Sequence, residues 1–116
     1  MASGLLTGAM TRTRAANLPF SDWRSRDVEF HEPRLSKNLA LVERLRKIGQ
    51  RYGRPPGQVA IAWTLHNPAV TGAIVGSRSA EQVERNVGAA ELNLTNEEIA
   101  EIEERNAYQP ELVTAA

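Results

Sequence analysis

The run Thr71-Gly72-Ala73-Ile74-Val75-Gly76-Ser77-Arg78-Ser79-Ala80-Glu81-Gln82-Val83-Glu84-Arg85-Asn86 is the most informative stretch of the chain. Ala73, Ile74 and Val75 give the continuous apolar run of a strand buried on both faces, and Gly76 lets the backbone leave it sharply. Ser77 or Ser79 can cap the helix that follows. The first N–H groups of a helix lack partners within it and attract anions; here a hydroxyl, Ser77, and a permanent cation, Arg78, stand beside them. The corner therefore predicts an anionic ligand such as a phosphorylated cofactor. The same order of elements also occurs in α/β proteins that bind nothing there, so the rest of the chain has to decide.

Upstream, Pro55-Pro56 opens a helix that extends to about Asn67. Its Val59, Ile61, Ala62, Trp63 and Leu65 leave little polar surface, so it is expected to be buried on more than one side. Pro68 ends it and the strand Val70 to Val75 follows. Before it, Ser36 to Gly53 reads as a helix with Ser36 as cap and Gly53 as stop. Leu41, Val42, Leu45, Ile48 and Tyr52 fall at helical spacing, and Glu43, Arg44, Arg46, Lys47 and Arg51 form its wet face. In the helix from Ser79 to about Val87, Ala80, Val83 and Val87 are expected to point inward. Thr95-Asn96-Glu97-Glu98 is a capping box that starts one more helix, running to about Asn106 with a thin apolar face of Ile99 and Ile102; residues 107–116 read as a frayed tail.

At the other end, Ser3-Gly4-Leu5-Leu6-Thr7-Gly8 reads as the last residues of a strand and a glycine turn. From Ala9 to Leu35 no period is sustained, which predicts a long loop, and Phe20 and Trp23 predict that it packs down on something. Strand, helix, strand, helix is the α/β pattern.

The chain has 116 residues, no cysteine and a formal net charge of zero. That length suits one modest domain; disulfides and thiolate metal sites are excluded, no metal is expected, and no apolar run approaches a membrane span. Met1 to Met10 lacks a basic start and a cleavage pattern, so a cytoplasmic location is the expectation. Residues 1–54 carry 11 Lys/Arg against 5 Asp/Glu, and residues 55–116 carry 3 against 9. Opposite halves of this kind attract one another, or the basic loop serves a phosphate site. The balancing acidic half and the sparse aromatics argue against nucleic acid.

In its order of elements the chain resembles the C-terminal part of an aldo-keto reductase. The resemblance rests on Gly4-Leu5-Leu6-Thr7-Gly8; on Asn38-Leu39-Ala40-Leu41-Val42-Glu43-Arg44-Leu45; on Gln58-Val59-Ala60-Ile61-Ala62-Trp63; and on Gly76-Ser77-Arg78 followed by Gln82 and Asn86. It implies a (β/α)8 barrel of the TIM type, to which this chain would give the seventh and eighth strand-helix units, with two short parallel strands. It also implies NADP(H)-dependent interconversion of carbonyls and alcohols. Carried over position by position, Ala2, Ser3 and Gly4 would run along the cofactor, and the loop from Ala9 to Leu35 would cover its pyrophosphate. Gly76, Ser77 and Arg78 would hold the adenosine phosphate, with Gln82 and Asn86 on the adenosine.

Two positions depart from the family pattern. Ala9 stands where many members have a Lys, so Arg12 or Arg14 would supply that charge, and Arg85 stands where some carry an acidic side chain. The family's catalytic Asp, Tyr, Lys and His belong to the half that this sequence lacks, so no residue here is assigned as catalytic and the chain is expected to be a fragment, inactive alone. The alternative of a different class is a small non-enzymatic module that self-associates through exposed edges or docks a partner.

Overall fold

The computed structural model describes residues 1–104; the expected helix end at Asn106 and the expected tail 107–116 lie outside the described residues. Five α-helices carry the fold: α1 (Arg12–Ala16), α2 (Arg34–Gln50), α3 (Pro56–His66), α4 (Ala80–Val87) and α5 (Asn96–Glu104). The contact between α2 and α3 is the most extensive.

Helix α2 buries Val42, Leu45 and Ile48 of the stripe its periodicity predicts, although Tyr52 at its end is exposed, and Leu45 and Ile48 meet Val59, Ala60 and Ala62 of α3 with Leu92 and Ile102. Residues Pro56 to Ala62 are all buried, so α3 is the central helix, as its lack of a polar face requires. The link between α2 and α3 is short because Gly53 takes φ 65°, a left-handed turn that glycine adopts without strain. Arg54 N–H then donates back to the Gly49 carbonyl at 2.9 Å. Gly49 has no alternative: a Cβ there would lie 2.2 Å from the Arg54 carbonyl oxygen.

A second cluster joins Leu5, Met10, Ala15, Phe30 and Leu35, which docks the 9–35 segment on the start of the chain. That segment is more ordered than a loop, with α1 and two 3₁₀ turns, Trp23–Arg26 and Val28–Phe30. Its anchor is not the expected pair. Phe20 and Trp23 are exposed, and Phe30 fills the core, because the Asp27-capped turn Val28–Phe30 places it against Leu5 and Leu35. Helix α2 likewise starts at Arg34, before the expected cap at Ser36. The Glu32 carboxylate reaches forward to the Ser36 backbone N–H at 3.3 Å and its hydroxyl at 2.6 Å and so takes the capping role.

The two expected strands are absent among the described residues. Ala2–Thr7 is an irregular 3₁₀ segment with Ala2 and Ser3 at φ 47° and 54°, and residues 70–77 form neither helix nor strand. A helix satisfies its own N–H and C=O groups, whereas a strand needs a neighbouring strand to do so. None of the described residues supplies one: the backbone groups of residues 71–77 make no backbone hydrogen bond. Ile74, expected inside a sheet, is fully exposed, and Val83 and Val87 of α4, expected to point inward, are exposed with it. Ala80 is exposed too.

Helix α5 begins as its capping box predicts. Thr95 Oγ1 accepts from Glu98 N–H at 3.2 Å while Glu98 Oε1 accepts from Thr95 N–H at 3.0 Å. Ile99 and Ile102 are buried, and Arg44 donates to the Glu101 carbonyl at 2.9 Å, holding α5 on α2.

Candidate anion-binding site

The corner at the start of α4 is built by local forces. Ser79, of the two candidate serines, is the cap: its extended backbone stops the helix and its Oγ accepts from Gln82 N–H at 3.2 Å. Gln82 folds back so that its Oε1 accepts from Arg78 N–H at 2.7 Å, and Asn86 Nδ2 donates to Ser77 Oγ at 2.9 Å. The expected residues Ser77, Arg78, Gln82 and Asn86 are therefore gathered on one surface, tied together across the turn. Gly76 precedes them with open space where a Cβ would stand.

Two donors and a cation remain free there. Among the described residues the Ala80 and Glu81 N–H groups, at the first turn of α4, make no hydrogen bond, and the Arg78 guanidinium has no ion pair. These groups fit a phosphate by charge and donor type. The corner is held from beneath by Gln58, itself buried in α3, whose Nε2 donates to the Arg85 carbonyl at 2.7 Å.

The remaining expected residues form a second group around the first turn of the chain. No hydrogen bond among the described residues joins it to the α4 corner. Ala2 and Ser3 are exposed and left-handed, and Gly4 follows at φ 95°. Arg14 Nη1 donates to the Ala9 carbonyl at 3.2 Å and has no ion pair among the described residues, while Arg12 is engaged by Glu32 and Ser36. Of the two basic candidates, Arg14 is thus the one with charge to offer.

Arg24 was not expected and binds this group together. Its guanidinium makes a bidentate pair with Asp22, lies 5.9 Å from the Phe30 ring centre and approaches the Ser3 carbonyl at 3.4 Å. The side-chain hydrogen bonds from Arg24, with help from its backbone N–H, pull the Asp22 carboxyl down to about 2. The signal was local: an Asp two residues before an Arg at the start of a turn caps that turn, and Asp22 Oδ1 accepts Arg24 N–H at 3.1 Å. An open pocket of about 430 Å³ lies beside it, lined by Thr11, Arg14, Asn17, Asp22 and Arg24 among others.

The histidines and the described tyrosine hold no acid-base constellation. His31 Nε2 lies 2.7 Å from the Ser25 carbonyl and His66 Nδ1 3.2 Å from that of Trp63. Tyr52 donates to the buried Glu98 carboxylate; that bond first, then burial, raises its hydroxyl above the ordinary value.

A family model described as "Aldo/keto reductase family" matches residues 1–107, nearly the whole chain and the same span that carries the motifs above. The chain belongs to the aldo-keto reductase family. Its similarity to named relatives points the same way. It is 35% identical over 99 residues to aldo-keto reductase str7 of Strobilurus tenacellus, a match covering 85% of this chain and 29% of that protein. It is 31% identical over 101 residues to the Schizosaccharomyces pombe protein named aldo-keto reductase yakc [NADP(+)], covering 87% of this chain and 29% of that one. A third relative, a putative voltage-gated potassium channel subunit beta of Schizosaccharomyces pombe, is 36% identical over 84 residues, covering 71% and 24%. This chain thus spans less than a third of the length of the curated relatives it matches. The family implies a (β/α)8 barrel, and the described residues are mostly helical with no strand among them.

Proposed function

We propose that this chain holds the adenosine-phosphate end of NADP(H) in an aldo-keto reductase barrel. The observation that carries the reading is the corner at α4: among the described residues Arg78 has no ion pair and the Ala80 and Glu81 N–H groups no acceptor, and Ser77, Arg78, Gln82 and Asn86 are tied into one surface. Arg78 would pair with the 2′-phosphate that distinguishes NADP(H) from NAD(H), and the helix start would complement its charge. Ala2, Ser3 and Gly4 would run along the cofactor, with Arg14 beside the pyrophosphate and the Arg24–Asp22 pair fixing the loop in place. Bound in a complete barrel, the cofactor supplies hydride to a carbonyl carbon. The protonating group lies elsewhere in the family domain, so the chain alone is expected to reduce nothing.

Titration with 2′,5′-ADP and with 5′-AMP, followed by chemical shifts of the Ser77 to Gln82 amides, tests the assignment. The 2′-phosphorylated ligand is expected to bind more tightly, with a preference that falls with salt and disappears in Arg78→Gln. Equal binding of both nucleotides, or an Arg78→Gln chain that keeps the preference, overturns it. Turnover of an aromatic aldehyde with NADPH by the purified chain would refute the expectation that it is inactive alone.

A further inference from the structure

The anion corner sits at the start of α4, yet α4 has no buried residue of its own, so few contacts fix where that helix lies. One of them runs through side chains from Glu91 to Arg85 by way of Arg54 and Gln58. Arg54, partly buried just ahead of α3, pairs through Nη2 with Glu91 Oε2 at 3.0 Å, in the 3₁₀ turn Gly88–Glu91 that follows α4. Its Nη1 donates to Gln58 Oε1 at 3.4 Å, and Gln58 Nε2 donates to the Arg85 carbonyl at 2.7 Å. The backbone of Arg54 is fixed too, because its N–H donates to the Gly49 carbonyl at the end of α2.

The order of donors along this path has one solution. A guanidinium only donates, so Arg54 turns the amide oxygen of Gln58 toward itself and leaves the amide N–H for α4, where the Arg85 carbonyl only accepts. With the amide reversed, two donors would face each other at Arg54 and two acceptors at Arg85. Gln58 is 6% exposed, so water offers a reversed amide little compensation. Gly88 makes room for the arrangement: a Cβ there would lie 2.9 Å from both Arg54 Nη1 and Gln58 Nε2.

We infer that Arg54 is a positioning residue of the α4 corner and acts through Gln58: it selects the amide orientation that ties α4 to α3, and Glu91 holds its guanidinium in place. A helix of eight residues moves as one rod about 12 Å long, so a hold on its last turn sets the position of the Ser79 cap and of Arg78 beside it. The consequence for a nucleotide rests on the function proposed above; the hold on α4 does not.

Hydrogen exchange of residues 83–88, measured on the full chain without nucleotide, tests the inference by a double-mutant cycle. Arg54→Met keeps an aliphatic stem and removes the donors, and it should speed these amides by about threefold. In a Gln58→Met background the same substitution should add nothing, because the amide through which it acts is gone. Exchange at Leu45 and Ile48 in α2 reports whether the variant still folds. Glu91→Gln, at a side chain 74% exposed, repeats the cycle with Arg54 and Gln58 left in the chain. Titration with 2′,5′-ADP should then show about threefold weaker binding in Arg54→Met, and no such difference between Gln58→Met and the double variant. An effect of full size in the Gln58→Met background, an α4 whose exchange neither variant alters, or a loosened α4 that binds 2′,5′-ADP unchanged overturns the inference. A wild-type chain that fails to bind 2′,5′-ADP refutes the cofactor assignment instead, and the exchange cycle still decides the role of Arg54.

Discussion

Gln58→Met separates the support of the site from the stability of the core. Gln58 is 6% exposed, and its Nε2 donates at 2.7 Å to the Arg85 carbonyl in α4, a helix with no buried residue of its own. Methionine nearly preserves the volume, so the α2–α3 packing should survive and the lost hydrogen bond should dominate. The bond is part-buried, which places the cost at about 1 kcal/mol rather than at the larger penalty of a sealed acceptor. An opening free energy lowered by about 1 kcal/mol makes exchange roughly fivefold faster. Native-state hydrogen exchange should therefore show residues 83–88 speeding up by about that factor, while the α2 amides around Leu45 and Ile48 change much less. Uniform acceleration of α2, α3 and α4, or an unchanged α4, would refute the view that Gln58 acts as the tether of the site.

Gly49→Ala places a Cβ 2.2 Å from the Arg54 carbonyl oxygen, and chemical denaturation should show a loss of at least about 2 kcal/mol because backbone must move. Ile48→Ala, at a fully buried position between α2 and α3, should cost about 2–4 kcal/mol in the same measurement. Burial pushes the Glu98 carboxyl up, but the hydrogen bonds from Tyr52 and Thr95 N–H, together with Arg51, pull it further down, to below the ordinary value of 4.5. A carboxyl with a depressed folded-state value stabilises the fold above its unfolded value. That contribution should be lost as pH falls below about 4.5 through the lower folded value, and Glu98→Gln should flatten that part of the acid unfolding curve.

What was legible in the sequence was what forms within a few residues. The α2 stripe, the glycine stop at Gly53, the all-round apolar α3 and the Thr95–Glu98 box each depend on spacings of three to five residues, and each is present. The helix start at Ser36 was misplaced because a neighbour outside the motif, Glu32, accepts the Ser36 N–H and engages its hydroxyl, so that the helix already runs from Arg34. Phe20 and Phe30 are chemically alike, and only the Asp27-capped turn decides which of them enters the core. The left-handed Ala2 and Ser3 carry no residue type that announces such a backbone. The two strands failed for a different reason: their sequence pattern is sound, but pairing is not a property of the segment that carries it.

The same division runs through the proposed cofactor site. Ser77 and Asn86 are nine residues apart, Arg78 and Gln82 four, and their bonds close within a single strand-to-helix corner. That half of the site needs no sheet to take shape; Ser79 and Gln58 suffice to hold it. The distance between this corner and the Ala2–Gly4 segment is another matter, since in a barrel it is fixed by parallel strands that the described residues do not form. A nucleotide that spans both groups would meet one preformed end and one end whose position depends on the rest of the sheet. Such a division predicts that adding the missing strands strengthens binding of the intact dinucleotide far more than binding of 2′,5′-ADP, which under the proposed function would touch the corner alone. Equal gains for the two ligands would show that the corner, too, is shaped by the sheet.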